Sequence, residues 1–335
     1  MTERMTILGA GSWGMAIAAL LSKNGARVRL WEFNRADYDI IVKERRHPAK
    51  LRDVTLDDSI DVTNDLDHAV SDAGCVVLAI PSQSLRSVLV NMKRRDLSGI
   101  GFVNLAKGIE TGSLKRMSEV IGEELGVDPA RIATLSGPSH AEEVVADLPT
   151  AVVAAGLSAE FIGRIQATFS SQTFRVYHTD DLIGVELGGS LKNIIAIAAG
   201  ITAGLGMGDN TMGALITRGL AEITRLGIAM GAQSQTFAGL SGIGDLITTC
   251  NSRHSRNRYV GEKIGQGQKL ADVLSGMTMV AEGVQTTRSG YALARKHDVE
   301  MPITCEVYEV LFNDKPPAEA VYDLMGRSLK PEIWH

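Results

Sequence analysis

A chain of 335 residues is too long for one ordinary hydrophobic core and about right for two. Apolar residues make up 44% and charged residues 22%, the balance of a soluble globular protein. The net charge of -5, from 34 Lys plus Arg against 39 Asp plus Glu, argues against nucleic-acid binding by bulk charge. Residues 1–5 lead straight into a strand-like run, so no signal peptide is expected. Residues 5–8 form a short apolar run that ends in glycines, residues 13–23 have helical spacing, and residues 28–31 form a second short strand. Residues 75–80, 101–105 and 151–155 are continuous β-rich apolar runs, the mark of strands buried on both faces. This alternation predicts an α/β, doubly wound, mostly parallel sheet over residues 1–178.

From residue 179 to 335 the texture becomes all-α. Helical spacing runs through 184–200, 211–230, 255–265, 284–297 and 304–312, with Gly-rich breaks at 204–208 and 239–244. Pro316-Pro317 marks a turn before a last short helix. The longest apolar stretch, residues 194–205, is about 12 residues, short of the roughly 20 that span a bilayer, so a buried helix and no membrane insertion are expected. Cys75, Cys250 and Cys305 are widely spaced and form no Cys-x-x-Cys pair. Neither a metal site nor a disulfide framework is expected, and a reducing, cytoplasmic setting fits.

Gly9-Ala10-Gly11-Ser12-Trp13-Gly14 matches Gly-x-Gly-x-x-Gly between a strand and a helix. Glycines let the chain turn tightly and let its backbone approach a pyrophosphate, which the helix N-terminus then attracts. Glu32 lies 18 residues past Gly14 at the end of the second strand. A carboxylate there accepts hydrogen bonds from ribose hydroxyls and repels a 2′-phosphate. A Rossmann-like region that prefers NAD(H), with NADP(H) possible through nearby Arg35, is the expectation.

Six later segments are more specific: Asn104-Leu105-Ala106-Lys107-Gly108-Ile109-Glu110, Leu135-Ser136-Gly137-Pro138-Ser139-His140-Ala141, Glu186-Leu187-Gly188-Gly189-Ser190-Leu191-Lys192-Asn193, Gly239-Leu240-Ser241-Gly242-Ile243-Gly244-Asp245-Leu246, Ser255-Arg256-Asn257 and Val280-Ala281-Glu282-Gly283. In this order, behind the Gly-x-Gly-x-Trp-Gly start, they closely resemble the bacterial-type NAD(P)-dependent glycerol-3-phosphate dehydrogenases. The resemblance implies reversible reduction of dihydroxyacetone phosphate to sn-glycerol 3-phosphate, a supply of backbone for glycerophospholipids, and a homodimer built through the helical region. It assigns the cofactor to Gly9, Gly11, Ser12, Trp13, Gly14, Glu32, Phe33, Lys107, Ala141, Arg256, Val280 and Glu282. It assigns substrate contacts to Lys107, Gly137, Ser139, Lys192, Asp245, Ser255, Arg256 and Asn257. The family often places Arg or His just after the second strand to meet an NADP phosphate. Phe33 and Asn34 stand there instead, in agreement with the reading of Glu32.

Ketone reduction needs a hydride donor, an acid for the oxygen and a fixed substrate. Lys192, in a Gly-rich helix start and flanked by Leu191, Ile194 and Ile195, is the expected acid, because desolvation lowers a lysine pKa. It is also the family's proton donor and acceptor. Asn193 would orient the reacting group. Asp245 would hold Lys192 or bind the substrate hydroxyl, with a helix N-cap as its plainer alternative, and Thr249 adds a hydroxyl. Lys107, at the carboxyl edge of the sheet, would stabilise negative charge on the oxygen. Ser255, Arg256 and Asn257 offer a hydroxyl, a planar cationic fork and an amide for the phosphate, with Arg253 and Arg258 raising the local potential. A solvated helix face is the alternative for that cluster. His140 and His254 fall within these motifs but are read as structural or solvated.

Two other functions fit parts of the chain. A dehydrogenase for hydroxyacyl thioesters or sugar acids would keep the cofactor region, but a hydroxyacyl enzyme is expected to use a His–Glu pair. No histidine occurs between His178 and His254. A nicotinamide-sensing protein without catalysis would need no converging Lys, Asp and Arg-Asn set.

Overall fold

Among the described residues eight short strands form, the central ones as apolar runs: β1 (Arg4–Leu8), β2 (Arg27–Trp31), β3 (Asp61–Thr63), β4 (Cys75–Leu78), β5 (Gly101–Asn104), β6 (Ile132–Ser136), β7 (Thr150–Gly156) and β8 (Phe174–Thr179). The computed structural model describes residues 3–93 and 95–332. The outermost positions of the two predicted regions, 1–2 and 333–335, lie outside the described residues, as does the first part of the predicted leaderless start.

The strands form one sheet in the order β3-β2-β1-β4-β5-β6-β7-β8. Every neighbouring pair is parallel except β6 and β7. The mostly parallel, doubly wound sheet predicted from the alternation is therefore present. Helices α1 (Ser12–Lys23), α2 (Arg35–Glu44), α3 (Leu66–Val70), α4 (Ser82–Met92), α5 (Met117–Leu125), α6 (Ala141–Val145) and α7 (Ala159–Phe169) connect the strands. Apolar layers cover both faces, one around Met15, Ile17, Phe169 and Phe174, the other around Leu85, Phe102 and Ile121. This is why β4 and β5 are buried at every position.

Register places the functional edge. Leu8 is level with both Trp31 and Leu78, and Leu78 is level with Asn104. Gly9, Glu32, Ala79 and the segment leading to Lys107 thus leave the sheet side by side, at the point where the strand order reverses. Ligands of open α/β sheets bind at such a point.

The helical half holds α8 (Leu182–Gly204), α9 (Asp209–Ala229), α10 (Ser234–Phe237), α11 (Asp245–Asn251), α12 (Arg256–Gly265), α13 (Leu270–Ser275), α14 (Glu282–Lys296), α15 (Pro302–Phe312) and α16 (Pro317–Met325). α8 is long and apolar enough to cross a membrane by length and composition, but 94% of its most apolar window is buried inside the molecule. It is the central helix of the second core, wrapped by α9, α11, α12 and α14. Its N-cap is Asp181, whose carboxylate accepts from the Gly184 N–H at 2.9 Å, the Gln233 N–H at 2.9 Å and the Thr236 hydroxyl at 2.6 Å.

That cap corrects one expectation. Lys192 does not lie in a Gly-rich helix start; it lies well inside α8, three turns from the cap. The glycines around it serve close packing instead. A Cβ on Gly188 would stand 2.7 Å from the Ser241 carbonyl oxygen. The same device brings α8 against α12. A Cβ on Gly261 would meet the Ile197 carbonyl oxygen at 1.9 Å, and one on Gly200 would meet that of Arg258 at 2.0 Å.

Candidate active site

A cleft of about 620 Å³ runs from the glycine loop after β1 to the middle of α8, at Lys192 and Asn193, and to the first turns of α11 and α12. At its nucleotide end, Gly9 has φ +106, and a Cβ there would strike the Ala79 carbonyl oxygen at 2.7 Å. A Cβ on Gly14 would lie 1.9 Å from the Gly9 carbonyl oxygen. The loop can therefore close only with glycine at both positions. Gly11 differs, since its missing Cβ faces open space in the cleft. Gly11 is also the N-cap of α1, which has no side-chain cap and no acidic residue in its first turn. Free N–H groups and the positive end of a helix dipole thus face a gap at which a pyrophosphate can approach backbone directly, and the residues present fit a dinucleotide. Ser12 and Trp13 line the same end.

Glu32 is buried at the cleft wall, and one carboxylate oxygen accepts from the Asn34 N–H at 2.7 Å. Burial raises its pKa, against the pull of that N–H and of Lys50. Phe33 is 78% exposed at the lip, set edge-on to Trp31. Arg35, the residue expected to offset Glu32, does not line the cleft; it is paired with Asp39 at 3.0 Å and lies over the Tyr38 ring. Lys50 lines the wall instead. Sequence reasoning missed Lys50 because nothing in its local pattern ties it to β2.

The reaction end is a buried knot of charge. Lys192 is 5% exposed and Asp245 2% exposed. The Lys192 ammonium donates to Asp245 Oδ1 and, at 2.5 Å, to the Thr249 hydroxyl. Lys107 Nζ donates to Asp245 Oδ2 at 2.8 Å and to the Gly137 carbonyl at 2.8 Å. One carboxylate therefore holds two ammonium groups from opposite halves of the molecule. Burial pushes Lys192 down to about 8, against the attraction of Asp245 and with repulsion from Lys107 adding to the shift. Burial alone would raise Asp245, but the two lysines hold its carboxyl below the ordinary carboxylate range. Asp245 is the first residue of α11, with Gly244 in the cap position, so the N-cap alternative does not hold. The Thr249 hydroxyl, one turn on, lies 2.7 Å from the Asp245 backbone carbonyl and 3.2 Å from its Oδ1, so it belongs to the same knot.

Beside the knot, a second chain of hydrogen bonds joins four segments. Asn193 Nδ2 donates to the Lys107 carbonyl at 3.0 Å, and Asn193 Oδ1 accepts from Asn257 Nδ2 at 2.8 Å. Asn257 Oδ1 then accepts from the Gly283 N–H at 2.9 Å. Ser255 is the N-cap of α12 and its hydroxyl accepts from the Arg258 N–H at 3.2 Å. Arg256 opens that helix on the cleft wall and donates to the Val280 carbonyl at 2.8 Å. Of the three arginines expected to form a basic cluster, only Arg256 lines the cleft; Arg258 is paired with Glu262 at 2.9 Å.

The remaining predicted residues fall on or behind the walls. Ser139, Ala141 and Val280 line the cleft, while Gly137 lies behind Lys107. Glu282 lines it too, but both its oxygens are taken up by Ser82, one by the N–H at 2.8 Å and one by the hydroxyl. Ser82 starts α4 and Glu282 starts α14, so this pair clips the sheet half to the helical half beside the cleft. A second clip is the buried carboxylate of Glu186, which accepts from Arg116 at 2.7 Å and from the N–H and hydroxyl of Ser118 at 2.8 and 2.6 Å. No sequence signal marked Ser82, because its partner lies 200 residues away.

Comparison with known proteins gives the same picture. Residues 4–161 match the N-terminal and residues 181–322 the C-terminal family pattern of NAD-dependent glycerol-3-phosphate dehydrogenase. The chain is 51% identical over 331 residues to a glycerol-3-phosphate dehydrogenase of Prosthecochloris aestuarii, covering 98% of this chain and 99% of that one. It is 49% identical to the Geobacter sulfurreducens enzyme of the same name over the full length of both chains. The crystal structure of glycerol-3-phosphate dehydrogenase from Coxiella burnetii superposes with a TM-score of 0.94 at 38% identity, covering 97% of this chain and 99% of that one. With both halves matched in order and full-length relatives sharing half its residues, this chain belongs to the NAD-dependent glycerol-3-phosphate dehydrogenase family: it is an NAD(P)-dependent oxidoreductase that interconverts dihydroxyacetone phosphate and sn-glycerol 3-phosphate.

Proposed function

We propose that Lys192 is the general acid of ketone reduction and the general base of the reverse reaction, held by Asp245 at the floor of the cleft. The observation that carries this is a buried ammonium on the cleft wall, bonded to Asp245 and Thr249, where burial brings its pKa down to about 8. A bound nicotinamide supplies or accepts the hydride at C2. In reduction, a proton leaves Lys192 Nζ for the C2 oxygen as charge develops there, and the neutral amine is recharged from solvent. Lys107 adds a second positive charge beside that oxygen. Asp245 opposes the loss of charge that burial imposes on Lys192, and Asn193 and Asn257 fix the α8–α12 geometry. The substrate phosphate lies at the N-terminus of α12 against Arg256, where a helix dipole and a guanidinium coincide.

The pH dependence tests this. Reduction needs protonated Lys192, so kcat/KM for dihydroxyacetone phosphate should fall as pH rises through about 8. Oxidation of glycerol 3-phosphate needs the neutral amine and should rise through the same value. Flat profiles in both directions would remove Lys192 from this role.

The same reading extends to the rest of the molecule. Residues 1–178 serve as the cofactor domain and 179–335 as the catalytic domain, supported by separate cores for the sheet and helical halves. Glu32 gives NADH an advantage over NADPH. The enzyme works in the cytoplasm, in line with three free cysteines, and supplies glycerol phosphate to phospholipid synthesis. It pairs as a homodimer through the helical region, where an apolar groove of about 520 Å³ lies between α8, α9, α15 and α16, with Tyr322 and Met325 exposed beside it. A solution mass equal to one 35.8 kDa chain by light scattering would rule the dimer out.

A further inference from the structure

At the nucleotide end of the cleft, one charged group comes from outside the β–α–β stretch that builds the rest. Lys50 lines the wall with Glu32, and its charge acts on the Glu32 carboxylate. It belongs to the loop between α2 and β3. The backbone of that loop resists this placement by itself. Leu51, the next residue, has φ +45, a left-handed conformation that a leucine keeps only when its surroundings hold it.

The hold comes from His47, which is 2% exposed. Its Nδ1 accepts from the Ala49 N–H at 3.1 Å and from the Lys50 N–H at 3.2 Å. A nitrogen that accepts carries no proton, so the ring is neutral and its proton is on Nε2, 3.7 Å from Asp37 Oδ2 on α2. Burial and the charge of Lys50 hold the ring below its ordinary pKa, against the opposing pull of Asp37, and this keeps the acceptor in place. Asn34 makes the same pattern earlier in the chain: its Oδ1 accepts from the N–H groups of Ala36 and Asp37, two and three residues on, at 2.9 and 3.3 Å. Beyond Lys50, the Leu51 side chain packs against the apolar layer on one face of the sheet. The Lys50 backbone is thus pinned from both sides. The two charges at this end ask different things of a ligand. Glu32 accepts from ribose hydroxyls and repels a 2′-phosphate, whereas an ammonium beside it attracts one.

We infer that His47 is a positioning residue for cofactor selection: by fastening the Ala49–Lys50 backbone it keeps the Lys50 ammonium at the ribose end of the cleft, where it favours NADPH against Glu32. This rests on the reading of Glu32 as the ribose partner. The test measures kcat and KM with NADPH and with NADH in Lys50→Ala, His47→Ala, His47→Asn, Glu32→Ala and the double variant His47→Ala/Lys50→Ala, with Tm for each. Lys50→Ala leaves the buried ring untouched and should lower the ratio of kcat/KM for NADPH over NADH by about tenfold, the loss of one contact to a charged group. His47→Ala should lower the same ratio by about threefold, through the NADPH KM with kcat little changed, since the ammonium is loosened and not removed. His47→Asn keeps an acceptor for both N–H groups, as Asn34 does, and should restore the ratio. In the double variant the ratio should fall no further than in Lys50→Ala, because His47 acts through Lys50. If His47→Ala keeps the wild-type ratio while Lys50→Ala lowers it, the role given to His47 is overturned and that of Lys50 stands. A ratio unchanged in Lys50→Ala overturns the inference whole. So does a His47→Asn variant that recovers Tm but not the ratio, which would make the ring a matter of stability alone, or a further fall in the double variant. Glu32→Ala should raise the ratio; if it does not, the ribose reading itself has failed and the inference goes with it.

Discussion

The nucleotide end of the cleft and its reaction end are built differently. At the nucleotide end, one β–α–β stretch supplies the glycine loop, the uncapped start of α1 and Glu32, and Phe33 projects 78% exposed at the lip. Backbone N–H groups stand ready for an anion and no charged pair has to be assembled first. At the reaction end, Lys107, Lys192, Asp245 and Thr249 come from three separate segments, and their polar groups are bonded to one another. One end is shaped by local backbone, and on the proposed reading recognises its ligand through that shape. At the other, packing of distant segments fixes the charges, and on the same reading this is electrostatic preorganisation for the reaction.

If that contrast is correct, damage to the reaction end should remove turnover and spare cofactor binding. The largest effect is expected from Lys192→Ala: kcat should fall by about a thousandfold, the scale of a lost general acid, with NADH affinity near wild type by fluorescence titration. The pH break near 8 should vanish with it. A variant that lost cofactor and turnover together would erase the distinction between the two ends.

The next effect concerns the packing that sets the reaction end. Gly261→Ala puts a Cβ 1.9 Å from the Ile197 carbonyl oxygen, so α12 must shift from α8 and carry Asn257 away from Asn193. Overpacking of this kind costs about 1–3 kcal/mol, visible as a lowered Tm in thermal denaturation, and it should lower kcat as well. Gly163→Ala in α7 is the contrast: nothing lies within 4 Å of its Cβ, and the change should be neutral or slightly stabilising. Equal losses from the two would show that the α8–α12 crossing is not tight.

The smallest effect sharpens the nucleotide end. Glu32→Ala should lower the ratio of kcat/KM for NADH over NADPH by about tenfold, through loss of ribose hydrogen bonds and of repulsion toward a 2′-phosphate. Equal use of both cofactors by the wild-type enzyme would reject the part given to Glu32. Lys50, close enough to pull on the Glu32 carboxylate, is the residue that would then meet the extra phosphate.

Most of the fold was legible because burial on both faces leaves continuous apolar runs, as in β4 and β5, and because helical spacing persists through α8, α9 and α14. The edge strand β8 was not, since it alternates buried Phe174 and Val176 with exposed Arg175 and Tyr177. Nor was three-residue β3, which is too short to show a period. In the site, Lys192 was legible as a lysine among apolar neighbours, but its place within α8 was misread. Glycines that admit a neighbouring backbone look the same in sequence as glycines that end a helix.

The sequence by itself determined the alternating sheet, the helical second half, the dinucleotide loop and the residue types of the reaction centre, because each of these follows from local spacing and side-chain chemistry. Only the tertiary structure decided that Asp245 bridges two lysines, that Asn193 and Asn257 join α8 to α12, and that Ser82 clips Glu282. It also decided that Arg35 and Arg258 turn to their own helices while Lys50 and Arg256 face the cleft. Partners of a buried charge are chosen by which distant segments pack together, and no window of sequence contains that choice.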